Sequence, residues 1–253
     1  MICSKIFNRK KPILIANWKM NVPAIEWLPY INKLKEAMPK KEATIVVCPP
    51  TVYLSEMYQN TADTDIRLGA QNVSQYHDGS FTGEVSVHML TEIVEFVIVG
   101  HSERRTIFCE SNEIIAKKIK LVGDAGLNPI LCVGEPLEAR TKILQTTYLR
   151  NQLYESLDNF TFWENLIVAY EPIWAIGTGN NADIDDINTA VDVINDVMIE
   201  LNPKAEPFIV YGGSVTPKNI AMYKEIPGLK GALIGGASLD VQKFLKMIDI
   251  YCY

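Results

Sequence analysis

At 253 residues, 48% of them apolar and 21% charged, the chain has the composition of a packed globular protein and the length of one large domain or two small ones. Its net charge of −6 argues against nucleic acid as a partner, because binding a phosphate backbone needs a basic field. The five cysteines (Cys3, Cys48, Cys109, Cys132 and Cys252) are scattered without a CxxC pair, which speaks against a disulfide framework or a zinc cluster and for reduced thiols in a cytoplasm.

The amino end, MICSKIFNRKKPILIANWK, carries basic residues, but its apolar run ILIA is only four residues long before Asn17 and Lys19, too short for a signal peptide or a membrane span. No membrane contact is expected, and residues 1–11 read as a short N-terminal extension. Beyond it, short apolar runs rich in β-branched residues recur about every thirty residues: ILIAN, TIVVC, IRLGA, FVIVG, PILCVG, LIVAY, FIVY and GALIGG. That is the pattern of parallel strands buried on both faces.

Most of these runs are followed by a stretch of helical period. One helix is predicted after Ser111, with Ile115, Ile119 and Val122 on its apolar side and Lys117, Lys118 and Lys120 directed elsewhere. Another places Ile184, Ile187, Val191, Ile194, Met198 and Leu201 on one face, with Asp183 as its N-cap. Strand and helix alternate to the end without a linker, so the prediction is an α/β chain forming a single (β/α)8 barrel of parallel strands, one domain over residues 1–253.

In such a barrel the active site lies at the carboxyl ends of the strands. The segments there are NWKMN after the first run, GHSERR after the fourth, EPIWAIGTGNNAD after the sixth, GGSV after the seventh and GGASL after the eighth. Singly, each has a bland explanation: Lys19 as a solvated charge, His101 as a helix cap, Glu171 before Pro172 as a strand end, and Gly212, Gly213, Gly235 and Gly236 as turn glycines. Jointly they set a base, an electrophile and two glycine-rich phosphate-type loops at one end of one barrel. Gly177–Ala182 also satisfies G-x-G-x-x-A, with Glu200 at about the distance of a ribose-binding acid. A dinucleotide-binding turn, however, puts its first glycine at the strand end of the first βα unit, whereas here EPIWAI intervenes in the sixth.

In order from residue 17 to residue 239, NWKMN, AQNVSQYHDGSFTGEVS, VGHSERR, CVGE, AYEPIWAIGTG, YGGSV and GGASL resemble the signature segments of the triosephosphate isomerase family. The resemblance implies interconversion of dihydroxyacetone phosphate and D-glyceraldehyde 3-phosphate through an enediolate, a step of glycolysis and gluconeogenesis that needs neither cofactor nor metal. It also implies a homodimer. A proton beside a carbonyl is weakly acidic, so its removal requires a positioned base and groups that stabilise charge growing on oxygen. On this resemblance Glu171 is the base, and Asn17, Lys19 and His101 surround the substrate oxygens. The positive end of a helix at His101 favours a neutral imidazole, and this family is itself the standard instance of that device.

The resemblance further implies that Glu103 holds Lys19 in place, that Gly177, Ser214, Gly235 and Gly236 bind the phosphate, and that Cys132 and Tyr211 support the site. Pro172, Ile173, Trp174, Ala175, Ile176, Thr178 and Gly179 fall in the family's lid, itself a standard example of loop closure. Thr82, on a protruding loop, is expected to enter the partner's site and help fix Asn17 and His101. Three departures appear: Asn180 where a lysine is common, Cys109 where glycine is expected, and an atypical loop ARTKILQTTY. Two other readings compete, another phosphosugar-binding barrel enzyme and a non-catalytic phosphate-binding interaction module. The latter predicts decay at Lys19, His101 or Glu171, and all three stand. His77 and His88 are too far in sequence from carboxylate or cysteine clusters to suggest a metal site.

Overall fold

All eight apolar runs fall on strands: β1 Ile13–Asn17, β2 Thr44–Cys48, β3 Ile66–Ala70, β4 Phe96–Val99, β5 Asn128–Val133, β6 Ile167–Tyr170, β7 Ile209–Tyr211 and β8 Leu229–Ile234. The computed structural model describes residues 7–23, 26–37, 42–175 and 182–252. Each strand pairs in parallel with the next, and β8 returns to β1 to close the barrel. The closing register runs from Ile13 opposite Gly231 to Ala16 opposite Ile234.

Closure follows from strands that are apolar on both faces. Alternate residues point to opposite sides of a strand, so each run feeds two cores. Ile13, Ile15, Val46, Ile98, Ile130 and Val210 fill the barrel interior. Leu14, Ala16, Val47, Val97, Leu131 and Val168 face the surrounding helices. The period that sends Ile13 and Ile15 inward also aims Asn17 at the upper mouth, and Ile167 and Ala169 do the same for Glu171.

The principal helices are α1 Trp27–Ala37, α2 Leu54–Thr61, α5 Asn112–Asp124, α6 Lys142–Ser156, α7 Ile184–Leu201 and α9 Val241–Cys252, with short turns α3 Val87–Leu90, α4 Ser102–Thr106 and α8 Ile220–Lys224. The Ser111 hydroxyl caps α5 by accepting from Ile114 N–H, and the Asp183 carboxylate caps α7 by accepting from Asp186 N–H. On α7 the expected apolar stripe is buried at Ile187, Val191, Ile194 and Met198, whereas Ile184 is exposed.

Two expectations fail. Lys118 does not point to solvent. It is buried on α5, where its Nζ donates to Glu110 Oε1 at 2.6 Å and to Asn72 Oδ1 at 2.9 Å. Burial lowers its pKa, with Glu110 opposing the shift. The segment ARTKILQTTY is not a loop: from Lys142 onward it is the start of α6. Its exposed residues include Ile143 and Leu144, while Gln145 and Gln152 face inward.

Residues 7–11 are tied into the barrel floor. The Phe7 ring meets Phe208 edge-on at 5.0 Å and Phe96 at 5.6 Å, within the interior core. The Arg9 guanidinium lies 5.1 Å from the Phe208 ring centroid and donates to the carbonyls of Glu164 (3.0 Å) and Leu166 (3.2 Å). Burying a phenylalanine contributes about 1.5–3 kcal/mol, so this plug adds materially to the floor. Among the described residues no helix is long and apolar enough to cross a membrane.

Candidate active site

At the mouth, Lys19 follows β1 with φ of +52°, the left-handed region that a non-glycine residue occupies only when its surroundings hold it there. The holders are on hand. Lys19 N–H donates to Asn17 Oδ1 at 3.0 Å, and the Lys19 carbonyl accepts from Gln71 Nε2 at 2.9 Å. The same Gln71 amide donates to the Cys48 carbonyl at 2.8 Å, which ties the turn to the end of β2. Lys19 Nζ meets Glu103 Oε1 at 2.7 Å, so the expected pairing of these two side chains is present.

His101 ends the β4 segment and caps α4. Its Nδ1 accepts from Glu103 N–H at 3.2 Å, which leaves Nε2 as the ring nitrogen that faces the cavity. Nε2 lies 3.2 Å from Glu171 Oε1. The other carboxylate oxygen, Oε2, accepts from Ser102 N–H at 3.0 Å. Glu171 is 2% exposed, and a carboxylate so buried is stable only with such donors.

Two glycines make room for it. A Cβ on Gly134 would stand 1.7 Å from the Glu171 carbonyl oxygen, and one on Gly212 would stand 2.7 Å from Glu171 Cγ. Beneath lies Cys132, whose thiol pKa is pushed well up, first by burial and then by the Glu171 charge. A thiol held protonated is a packing group and not a nucleophile. Arg105, one of the two arginines of GHSERR, braces the wall by donating to Gly100 O at 2.8 Å and to Cys132 O at 3.0 Å.

Asn17, Lys19, His101 and Glu171 line one cavity of about 260 Å³ together with Gly212, Gly213, Ser214, Gly235 and Gly236. Gly236 opens a short 3-10 turn, Gly236–Leu239, after β8. An added Cβ there would meet no protein atom within 4 Å, so the small residue serves the cavity and not the packing. Of the expected phosphate binders, Ser214, Gly235 and Gly236 are therefore brought together, while Gly177 lies outside the described residues. A second cavity of about 330 Å³ adjoins the first and shares Asn17, Lys19 and His101 with it.

After Glu171, Ile173–Ala175 form a 3-10 turn anchored on Glu135: Ile173 N–H donates to the Glu135 carbonyl at 3.1 Å and Trp174 Nε1 to Glu135 Oε1 at 2.9 Å. Ala175 N–H bonds back to the Pro172 carbonyl at 2.9 Å. Ile176, Thr178, Gly179 and Asn180 lie outside the described residues. Tyr211, at the end of β7, puts its buried hydroxyl beside the backbone N–H of Ala182, the first described residue after that segment, and burial raises its pKa. Thr82 is exposed on its loop and lines neither cavity of its own chain.

Gln71, Ser102 and Gly134 shape the mouth around Lys19 and Glu171, and the sequence alone does not distinguish them. They sit inside the segments AQNVS, GHSERR and CVGE, and nothing in a sequence separates a residue that positions a neighbouring side chain from one that ends a strand. The His77 and His88 rings lie 5.4 Å apart, tilted by 32°. Among the described residues no three His, Cys, Asp or Glu side chains converge as a metal-ligand set.

A sequence profile of the family described as Triosephosphate isomerase matches residues 12–251. The triosephosphate isomerase of Alkaliphilus oremlandii is 39% identical over 246 residues, covering 95% of this chain and 99% of that protein. Those of Carboxydothermus hydrogenoformans and Thermus thermophilus are 40% and 38% identical, again over about the full length of each protein. The crystal structure of triosephosphate isomerase from Bartonella henselae superposes with a TM-score of 0.87 at 34% identity, covering 95% of this chain and 99% of that one. By sequence and by fold, the chain belongs to the triosephosphate isomerase family.

Proposed function

We infer that the chain interconverts dihydroxyacetone phosphate and D-glyceraldehyde 3-phosphate, as an aldose–ketose isomerase of glycolysis and gluconeogenesis. The observation that carries this reading is a buried carboxylate, Glu171, 3.2 Å from His101 Nε2 in a cavity that also holds Lys19 and Asn17 and ends in Ser214, Gly235 and Gly236. Glu171 takes the proton from the carbon beside the substrate carbonyl. Electron density passes to the carbonyl oxygen, where His101 Nε2–H, the Lys19 ammonium and the Asn17 amide stabilise the enediolate. Returning the proton to the neighbouring carbon completes a redox-neutral shift. Since both Glu171 oxygens are engaged by Ser102 and His101, the carboxylate exchanges those donors for the substrate carbon on binding.

Ser214, Gly235 and Gly236 take the phosphate, with Gly177 completing the set, and Lys19 offsets its charge. Residues 172–182 act as the lid, Pro172, Ile173, Trp174 and Ala175 forming its first hinge and Tyr211 serving its far end. Glu103 fixes Lys19, and Cys132 packs under the base. The active species is a homodimer: Thr82 of one subunit enters the 330 Å³ cavity of the other beside Asn17 and His101. Support comes from the exposed apolar side chains Met20, Val52, Met89, Ile107 and Phe108, of which Met20 and Phe108 line that cavity. Cys48, Cys109 and Cys132 carry free thiols, which supports the reducing cytoplasm as its compartment.

The purified protein is expected to convert glyceraldehyde 3-phosphate to dihydroxyacetone phosphate with uptake of solvent hydrogen at carbon, and to turn over glyceraldehyde without phosphate orders of magnitude more slowly. Turnover of neither triose phosphate would contradict the assignment.

A further inference from the structure

Two side chains outside the cavity join the ends of the segment 176–181. Arg140 follows the 3-10 turn Leu137–Ala139 and lays its guanidinium 4.1 Å from the centroid of the Trp174 ring. The same group reaches across to the start of α7, with Nη2 3.1 Å from Asp186 Oδ2 and 3.8 Å from Asp183 Oδ2. Below it Gln145, 1% exposed, makes a parallel connection: its Nε2 lies 3.0 Å from Tyr170 Oη, 3.2 Å from the Asp186 carbonyl and 3.4 Å from Glu135 Oε1.

Both side chains therefore reach from residues 140–145 to the Trp174 anchor on one side and to Asp186 on the other. The anchor itself is under load. Glu135 Oε1 takes Trp174, Tyr170 and Gln145, while Oε2 is buried with no partner among the described residues. Burial pushes the Glu135 carboxyl above the usual carboxylate range. Three donors on one oxygen and none on the other is a costly arrangement for a stability device, and Arg140 is half exposed, where an ion pair contributes little to stability. What the arrangement does supply is a fixed distance between Trp174 and the first turn of α7.

We propose that Arg140 and Gln145 are positioning residues of the isomerisation, a two-layer strap that fixes Trp174 against α7 and so fixes the backbone from which Glu171 projects three residues earlier. This rests on the reading of Glu171 as base and of residues 172–182 as lid. The enediolate is fragile. If water reaches it or its plane rotates, the electron pair on its oxygen re-forms a C=O bond, the C=C pair shifts to the carbon–carbon bond next to the phosphate ester, and the C–O bond to phosphate breaks. Inorganic phosphate leaves with the electrons of that C–O bond, and the enol left behind ketonises to a 2-oxoaldehyde. A strap that holds both ends of the lid suppresses this side reaction, so its loss is read in the partition between products as well as in rate.

The test compares wild type, Arg140→Leu, Arg140→Lys and Gln145→Leu by kcat, KM and inorganic phosphate released per isomerisation. Arg140→Leu keeps apolar cover on Trp174 but loses Asp183 and Asp186. It is expected to lower kcat about 5-fold with little change in KM and to raise phosphate release per turnover several-fold. Arg140→Lys, which retains the charge, is expected to recover most of kcat, and Gln145→Leu to act in the same direction as Arg140→Leu. Because Gln145 is buried and its variant can fail to fold, the surface variants carry the decision. Wild-type kcat and wild-type phosphate partition in Arg140→Leu would overturn the strap alone. A wild-type protein without isomerase activity would overturn the reading of the site and the strap with it.

Discussion

Cys109 has φ of +55°, in the left-handed region, and its side chain is exposed. A side chain there clashes with the backbone at a cost of roughly 1–2 kcal/mol, which glycine avoids, although glycine also gains freedom in the unfolded chain. Cys109→Gly is therefore expected to stabilise the protein by about 0.5–1 kcal/mol, seen as a rise of roughly 1–4 °C in Tm at fixed protein concentration. An unchanged or lower Tm would show that the surroundings favour the cysteine. This position was legible in the sequence because a backbone requirement appears as a residue type. Lys118 was not. Three lysines close together on α5 look alike in a periodic pattern, and only the fold brings Glu110 from the preceding loop and Asn72 from beyond β3 onto one of them. Glu110 also binds Arg104 Nε at 2.5 Å, so removing that carboxylate would leave two cations without their partner, a change of about 3–5 kcal/mol for buried pairs of this kind.

At the scale of elements, the strands were readable because a strand buried on both faces needs an unbroken apolar run, and few other elements do. The N-caps Ser111 and Asp183 were readable because the unpaired N–H groups of a first turn call for a short polar side chain. Helix α6 escaped for a physical reason. Its buried face mixes Leu149 and Leu153 with Gln145, Gln152 and Ser156, while Ile143 and Leu144 are exposed, so no apolar stripe marks it. The buried amides have structural partners instead: Gln152 Oε1 accepts from Gly134 N–H at 2.9 Å beside Glu171, and Gln145 spans the strap. The element that broke the pattern is thus the one that supports Glu171 from behind, and its polar interior is where a mutational survey of the fold would find effects on rate.

For the whole molecule, closure of eight strands gathers residues separated by up to about two hundred positions, from Asn17 to Gly236, into one cavity. The sequence marked most of that cavity, because strand ends in a barrel converge whatever the register. It could not mark the Ser102 and His101 bonds to Glu171, which depend on the mutual height of β4 and β6. If Thr82 completes the neighbouring subunit's site, dilution until light scattering reports monomers should abolish turnover, with recovery on reconcentration; a fully active monomer would remove Thr82 from the account. The central claim is that Glu171 is the base held at this mouth. Glu171→Asp withdraws the carboxylate by about one methylene while leaving its charge, and a misplacement near 1 Å costs about 100-fold or more in rate. The account predicts that loss in kcat for glyceraldehyde 3-phosphate in a variant with the wild-type circular dichroism spectrum, and equal rates for variant and wild type would contradict it.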